Sequence, residues 1–134
     1  MLSLRYARRW LIAGIGLLLL VLGLALVPED WLWGNDAMPS MLLSDKLMHG
    51  ITFMVLALWF SGQYAPHSYW RLVLGLAAFG LLIEAIQRMV AYRTADGMDL
   101  LADLIGVGIG MAIALAGAGG WCLRFEKWLE NRSG

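Results

Sequence analysis

Residues 10–27 read WLIAGIGLLLLVLGLALV, a stretch without a single charged side chain. A helix needs about 20 mainly apolar residues to cross the hydrocarbon of a bilayer, so this stretch predicts a first membrane-spanning helix over about 9–27. A secretory signal peptide is the alternative, because Arg5, Arg8 and Arg9 precede the stretch. The apolar run exceeds a signal core of about 7–15 residues and no small-x-small cleavage site follows it, which favours an uncleaved helix.

Three more apolar segments follow, and we expect them to form helices at about 46–63, 70–90 and 99–122. Apolar residue types make up 60% of the chain, more than a soluble domain of this size can bury. The predicted fold class is therefore all-α, a polytopic membrane four-helix bundle with short loops, and residues 1–134 are expected to form a single membrane domain.

The last stretch of the chain alternates charged and apolar side chains between Arg124 and Arg132. This pattern predicts a short amphipathic C-terminal segment that lies on the membrane surface. A frayed tail is the alternative.

The orientation of the bundle is predicted from its cations, since Lys and Arg near short loops stay on the cytoplasmic side. Most cations lie before the first helix, between the second and third, and after the fourth: Arg5, Arg8, Arg9, Arg71, Arg124, Lys127 and Arg132. The two remaining loops carry fewer: Lys46, Arg88 and Arg93. We therefore expect both termini in the cytoplasm.

Charge and cysteine content exclude other classes. Ten cations balance ten acids, so the basic surface that nucleic-acid binding requires is not expected. The single cysteine, Cys122, has no Cys or His companion at metal-ligand spacing and is interpreted as a small apolar side chain near a helix end. No cofactor is predicted.

Polar residues interrupt three of the four predicted helices at one depth. A charged side chain at mid-membrane costs at least ~2.5 kcal/mol, so such residues normally face a partner or a wet cavity. Residues three or four apart share one face of a helix, and small residues at the same spacing on the fourth helix allow close packing on that face. We expect a polar pocket open to the outer leaflet, with these candidate residues: Asp45, His49, Glu84, Gln87, Arg93, Asp99 and Asp103.

Each candidate also has a purely structural interpretation. His49 or Glu84 alone is more often a satisfied hydrogen-bond partner between helices, and Asp99 is suited to cap its helix. Lys46 is expected to extend towards the membrane surface. One His with carboxylates can suit a divalent ion, here His49, Glu84, Asp99 and Asp103, but no tight ligand motif is present, so no metal is assigned.

The same residues resemble a known signature. The segments are Asp45-Lys46-Leu47-Met48-His49, Glu84-x-x-Gln87, Arg93-Thr94-Ala95-Asp96 and Asp99-x-x-x-Asp103-x-x-Gly106-x-x-x-Gly110. In this order and spacing they resemble the VanZ-like membrane proteins over about residues 45–114. Asp103 departs from the pattern, where Asn is expected.

The resemblance implies a small polytopic protein of the bacterial inner membrane, in a family whose namesake lowers sensitivity to the glycopeptide teicoplanin. It implies no known reaction. The leading hypothesis is a protein that binds or handles an envelope lipid or anionic group at the outer leaflet, with Arg93 on a phosphate or carboxylate. The alternatives are an intramembrane enzyme acting on lipid-linked phosphate, with Glu84 or His49 as base, and a structural or accessory subunit.

The expected partners follow from these hypotheses. They are membrane lipids, including an envelope lipid intermediate, and either a second copy of the chain or another envelope protein. A solute transporter is disfavoured, because four helices without an internal repeat leave little room for alternating access.

Overall fold

The computed structural model describes residues 1–27, 40–90 and 97–133, with the side chains of 40–44 and 133 left aside. In this part of the chain every regular element is helical. The main helices are α1 (Ala7–Ala25), α2 (Ser40–Ser61), α3 (Tyr69–Met89), α4 (Gly97–Ile113) and α5 (Trp121–Ser133). The all-α prediction is confirmed, and α5 is the predicted C-terminal helical segment.

Among the described residues, three helical stretches are long and apolar enough to cross a membrane: Ala7–Ala25, Pro66–Met89 and Gly97–Ala118. Pro66–Ser68 is a 3₁₀ turn that leads directly into α3. Helix α2 has 22 residues, about 33 Å at 1.5 Å per residue, and lies against α4 as the fourth long helix. The chain is a polytopic helical membrane protein.

Helices α2 and α4 run parallel and pack most closely of all pairs. The contact is made by small residues: a Cβ on Gly106 would collide with the carbonyl of Gly50, and one on Gly110 would lie 2.7 Å from the Met54 carbonyl. Gly-rich faces let backbones approach in this way. Helix α3 packs antiparallel against both, and the buried side chains between the three helices include Phe53, Leu56, Leu76, Ile83 and Val107.

Helix α4 ends earlier than the sequence predicts. It passes at Ala114 into a π-helical turn, and Gly117 and Gly120 then adopt positive φ angles of 126° and 67°. Glycine adopts such angles without steric penalty, so the chain turns here before α5 begins. The sequence predicts one continuous helix to residue 122, whereas the structure has two helices joined at a bend.

Helix α1 is the most peripheral of the long helices. Only Gly14 in it is buried, and a Cβ there would lie 2.9 Å from the ring of Phe60 on α2. Its exposed side chains include Leu11, Ile12 and Leu19. In a membrane protein such a surface is suited to contact lipid chains.

Candidate functional site

The imidazole of His49 and the carboxylate of Asp103 form a hydrogen-bonded pair between α2 and α4. His49 Nδ1 lies 2.9 Å from Asp103 Oδ1, and only 12% and 3% of the two side chains are exposed. An ionised carboxylate only accepts hydrogen bonds, so Nδ1 donates, and in the neutral imidazole Nε2 then keeps its lone pair. The pair fixes the orientation of the ring.

A second pair lies beside the first. Lys46 Nζ donates to Asp99 Oδ1 at 3.3 Å, with the Asp99 side chain 9% exposed. Asp99 lies in the first turn of α4, where the helix dipole favours a negative charge. Asp45, His49 and Asp99 each place one ligand atom within 4.8 Å of the others. Together these five residues, Asp45, Lys46, His49, Asp99 and Asp103, form what we call the polar layer.

Helix α3 packs against the polar layer through its backbone at Gly80. A Cβ on Gly80 would lie 2.9 Å from Asp103 Oδ2 and 3.5 Å from the ring of Phe53. A larger residue at position 80 would displace the Asp103 carboxylate. The polar layer thus depends on close contact at two glycines, Gly80 on α3 and Gly106 on α4.

Two of the predicted site residues bond elsewhere. Glu84 pairs with Arg88 one turn along α3. Gln87 Nε2 donates to the carbonyl of Ala25 at 3.0 Å, which satisfies one of the carbonyls left open at the end of α1. Both side chains are buried, but these contacts stabilise α3 and its packing on α1. Arg93 lies outside the described residues.

Lys46 is the member of the polar layer that sequence reasoning assigned differently. It was expected to reach the membrane surface, whereas the structure pairs it with Asp99. A signal was available, because Lys46 and His49 are three residues apart and therefore share one face of a helix. Parallel packing of α2 and α4 then brings that face against the two aspartates.

The opposite end of the bundle carries a different buried acid. Glu126 on α5 accepts hydrogen bonds from the backbone N–H groups of Arg5 and Tyr6 and from Trp10 Nε1, at 2.8, 3.0 and 2.8 Å. Burial acts to raise the pKa of Glu126, but these three hydrogen bonds outweigh it and hold the pKa below the ordinary value.

Cys122 lies one turn before Glu126 and is fully buried. Burial, together with the nearby Glu126 carboxylate, raises the pKa of Cys122 to about 12. A thiol with that pKa is not a nucleophile at neutral pH. The structural interpretation of Cys122 from the sequence is consistent with this environment.

Comparison with known proteins gives one family. The family model described as VanZ/LLP1 matches residues 15–118, which include α2, α3 and α4 and therefore the whole polar layer. No curated protein and no solved structure matches the chain.

Proposed function

Because the chain belongs to the VanZ/LLP1 family, we propose that it binds the polar head group of an envelope lipid, or a related anionic envelope component, at the outer leaflet of the bacterial inner membrane. The observation that carries the proposal is the polar layer. A hydrogen-bonded pair, His49–Asp103, and an ion pair, Lys46–Asp99, lie side by side between α2 and α4. Charged side chains within membrane helices are costly, and where they persist they commonly form a ligand or ion site.

The distribution of cations along the sequence supports a position of the site in the outer leaflet. With both termini in the cytoplasm, α2 and α4 begin on the outer side, and the polar layer lies in the N-terminal half of each of these helices. Arg93 precedes α4 in the sequence and would contact a phosphate or carboxylate, since guanidinium groups bind such oxygens in bidentate fashion. A role in lowering sensitivity to teicoplanin belongs to the same proposal and comes from the family alone.

Native mass spectrometry of the gently solubilised protein tests the binding. The wild-type protein is expected to retain an envelope lipid, and His49→Ala, Asp99→Ala and Arg93→Ala are each expected to lose it at equal protein abundance. Glu130→Gln removes a carboxylate from α5, at the other end of the chain, and serves as the control. Teicoplanin growth inhibition of cells expressing the same variants tests the resistance role. Unchanged lipid retention in all three variants would contradict the proposal.

A second candidate function has one specific observation in its favour. The carboxylate of Asp103 orients the His49 ring through Nδ1, an arrangement that suits Nε2 to act as a general base. His49 is a better candidate than Glu84, which pairs with Arg88. Turnover of lipid-linked phosphates by the purified protein, lost on His49→Gln, would support an enzyme; no turnover across a broad panel would count against it.

A further inference from the structure

We propose that Asp45, His49 and Asp99 bind one divalent transition-metal ion, with Asp103 as the residue that positions the imidazole. The three side chains each offer a ligand atom, and these atoms lie within 4.8 Å of one another. Around a tetrahedral zinc ion with bonds of about 2.0–2.2 Å, two ligand atoms stand about 3.3–3.6 Å apart. Binding an ion therefore requires side-chain rotations that bring the three atoms closer together by at most about 1.5 Å.

The donor atoms define the class of ion. One imidazole nitrogen and two carboxylate oxygens from two different helices suit Zn²⁺ or Mn²⁺. Ca²⁺ and Mg²⁺ prefer oxygen ligands alone, and they need six or more ligands or a regular octahedron. The proposed set differs in two ways from the one considered from the sequence: Glu84 bonds to Arg88 and is replaced by Asp45. Asp103 bonds to His49 and positions the ring instead of binding the ion.

The hydrogen bond from His49 to Asp103 is the second element of the site. A metal-bound histidine almost always donates its other ring N–H to a carboxylate, carbonyl or water, which fixes the ring and makes the ligand nitrogen more basic. His49 Nδ1 already lies 2.9 Å from Asp103 Oδ1. Nε2 is therefore the ring nitrogen with a lone pair for an ion.

The charge of the polar layer also favours a bound cation. Asp45, Asp99 and Asp103 face one ammonium, that of Lys46, and one imidazole among its five side chains. Two of the carboxylates are buried. Ionised carboxylates that lie so near to one another repel strongly where water is scarce. A divalent cation between Asp45 and Asp99 would offset this repulsion. It would also compete with Lys46 for Asp99.

This inference deepens the proposed function and shares its site. A layer with three carboxylates repels an anionic head group, whereas a bound divalent ion supplies positive charge for its phosphate or carboxylate oxygens. Ion binding and lipid binding remain separate measurements, since the ion is titrated alone.

The test is calorimetric titration of the full-length protein in detergent, first stripped with EDTA, with ZnCl₂ or MnCl₂ alone. We expect one ion per chain and weaker binding of Ca²⁺ and Mg²⁺. Asp99→Asn and His49→Gln should reduce the affinity at least about tenfold, and Asp103→Asn about 10–100-fold through loss of the positioning bond. Lys46→Met removes the competing ammonium and should increase the affinity. Glu130→Gln, at the other end of the chain, should leave it unchanged.

Two results would overturn the inference: no binding of Zn²⁺ or Mn²⁺ by the wild-type protein, or binding that Asp99→Asn and Lys46→Met both leave unchanged. Thermal unfolding of each variant identifies any variant that has lost its fold. Lys46→Met is a further safeguard, because misfolding would weaken ion binding, whereas this variant is expected to bind the ion more tightly. Lipid retention without ion binding would overturn this inference alone. Ion binding without lipid retention would overturn the proposed function alone.

Discussion

His49 and Asp103 illustrate what single residues contribute to this protein. Each is expensive to place in a membrane helix, and together they form a hydrogen-bonded pair at 2.9 Å. Removing one partner would leave the other buried without its hydrogen bond, which is more costly than removing both. The sequence predicts both residues near the start of their helices, although α2 begins at Ser40, earlier than predicted, so His49 lies farther along it. Only the packing of α2 on α4 shows that the two residues are partners.

Gln63 is the opposite case, a buried polar side chain without a hydrogen-bond partner among the described residues. An unsatisfied buried amide costs about 1–3 kcal/mol. We therefore predict that Gln63→Leu raises the free energy of unfolding by about that amount, measured as the thermal or SDS-induced unfolding midpoint in detergent.

The same substitution at Gln87 provides the control. Gln87 is equally buried, but its amide donates to the Ala25 carbonyl. Gln87→Leu should lower the stability by about 1 kcal/mol, because the carbonyl at the end of α1 loses its donor. Destabilisation by both substitutions, to a similar extent, would contradict the interpretation of Gln63.

At the scale of the helices, the contact between α2 and α4 decides where the polar layer forms. The backbones meet at Gly50 and Gly106, directly beside His49 and Asp103. Such close approach leaves no room for a methyl group at position 106. The spacing of Gly106 and Gly110 predicted a packed face, and the structure identifies α2 as the helix that covers it.

We predict that Gly106→Ala weakens this helix pair. The new methyl group would collide with the backbone of α2, which cannot rotate away as a side chain can. An extra methylene in a packed interior typically costs about 1–3 kcal/mol, so we expect the free energy of unfolding to fall by at least that amount. The measurement is the unfolding midpoint in detergent, together with the amount of protein inserted in the membrane.

Gly108→Ala is the matched substitution two residues along the same helix. Nothing lies within 4 Å of a Cβ at Gly108, and alanine in a helix interior is favoured over glycine by about 0.5–1 kcal/mol. This variant should be as stable as the wild-type protein or more so. Equal effects of the two substitutions would show that α2 and α4 do not pack as described.

For the whole molecule, the C-terminal helix ties the two ends of the chain together. Glu126 on α5 accepts three hydrogen bonds from the segment at the start of α1. The indole rings of Trp10, Trp59 and Trp121 pack edge to face beside it, with centroids 5.3–5.8 Å apart. Helix α5 is therefore docked on the bundle, whereas the sequence predicted only an amphipathic segment on the membrane surface.

The pKa of Glu126 gives this docking a pH dependence. A carboxyl whose pKa is lower in the folded than in the unfolded state contributes its full stabilisation when the pH is above the unfolded pKa, here about 4.5. This contribution to the folded state is lost as the pH falls through the lower, folded pKa. Glu126→Gln should therefore lower the stability at pH 7 by about 1–3 kcal/mol, the range for hydrogen bonds to a charged group. Below pH 4.5 the difference from wild type should shrink.

Thermal unfolding of both proteins between pH 7 and pH 3 measures this effect. Glu130→Gln is the control on the same helix: Glu130 pairs with Arg5 while half exposed, so its removal should cost less than about 1 kcal/mol. A stability difference for Glu126→Gln that stays constant across the pH range would contradict the role of the ionised carboxylate.

The sequence by itself determined the membrane-spanning character and the helical fold. Uncharged runs of bilayer length and helical spacing are local properties of the chain, so they are visible without knowledge of the fold. It also predicted the close-packed face of α4 from Gly106 and Gly110.

Tertiary structure alone decided which polar residues meet. Asp45, His49, Asp99 and Asp103 converge because α2 and α4 are parallel and in contact, whereas Glu84, at a similar predicted depth, bonds within its own helix. Depth follows from position along a helix, but partnership depends on the rotation of each helix about its axis and on the rotamer of each side chain. Those quantities are fixed by packing between residues that lie more than fifty positions apart in the chain.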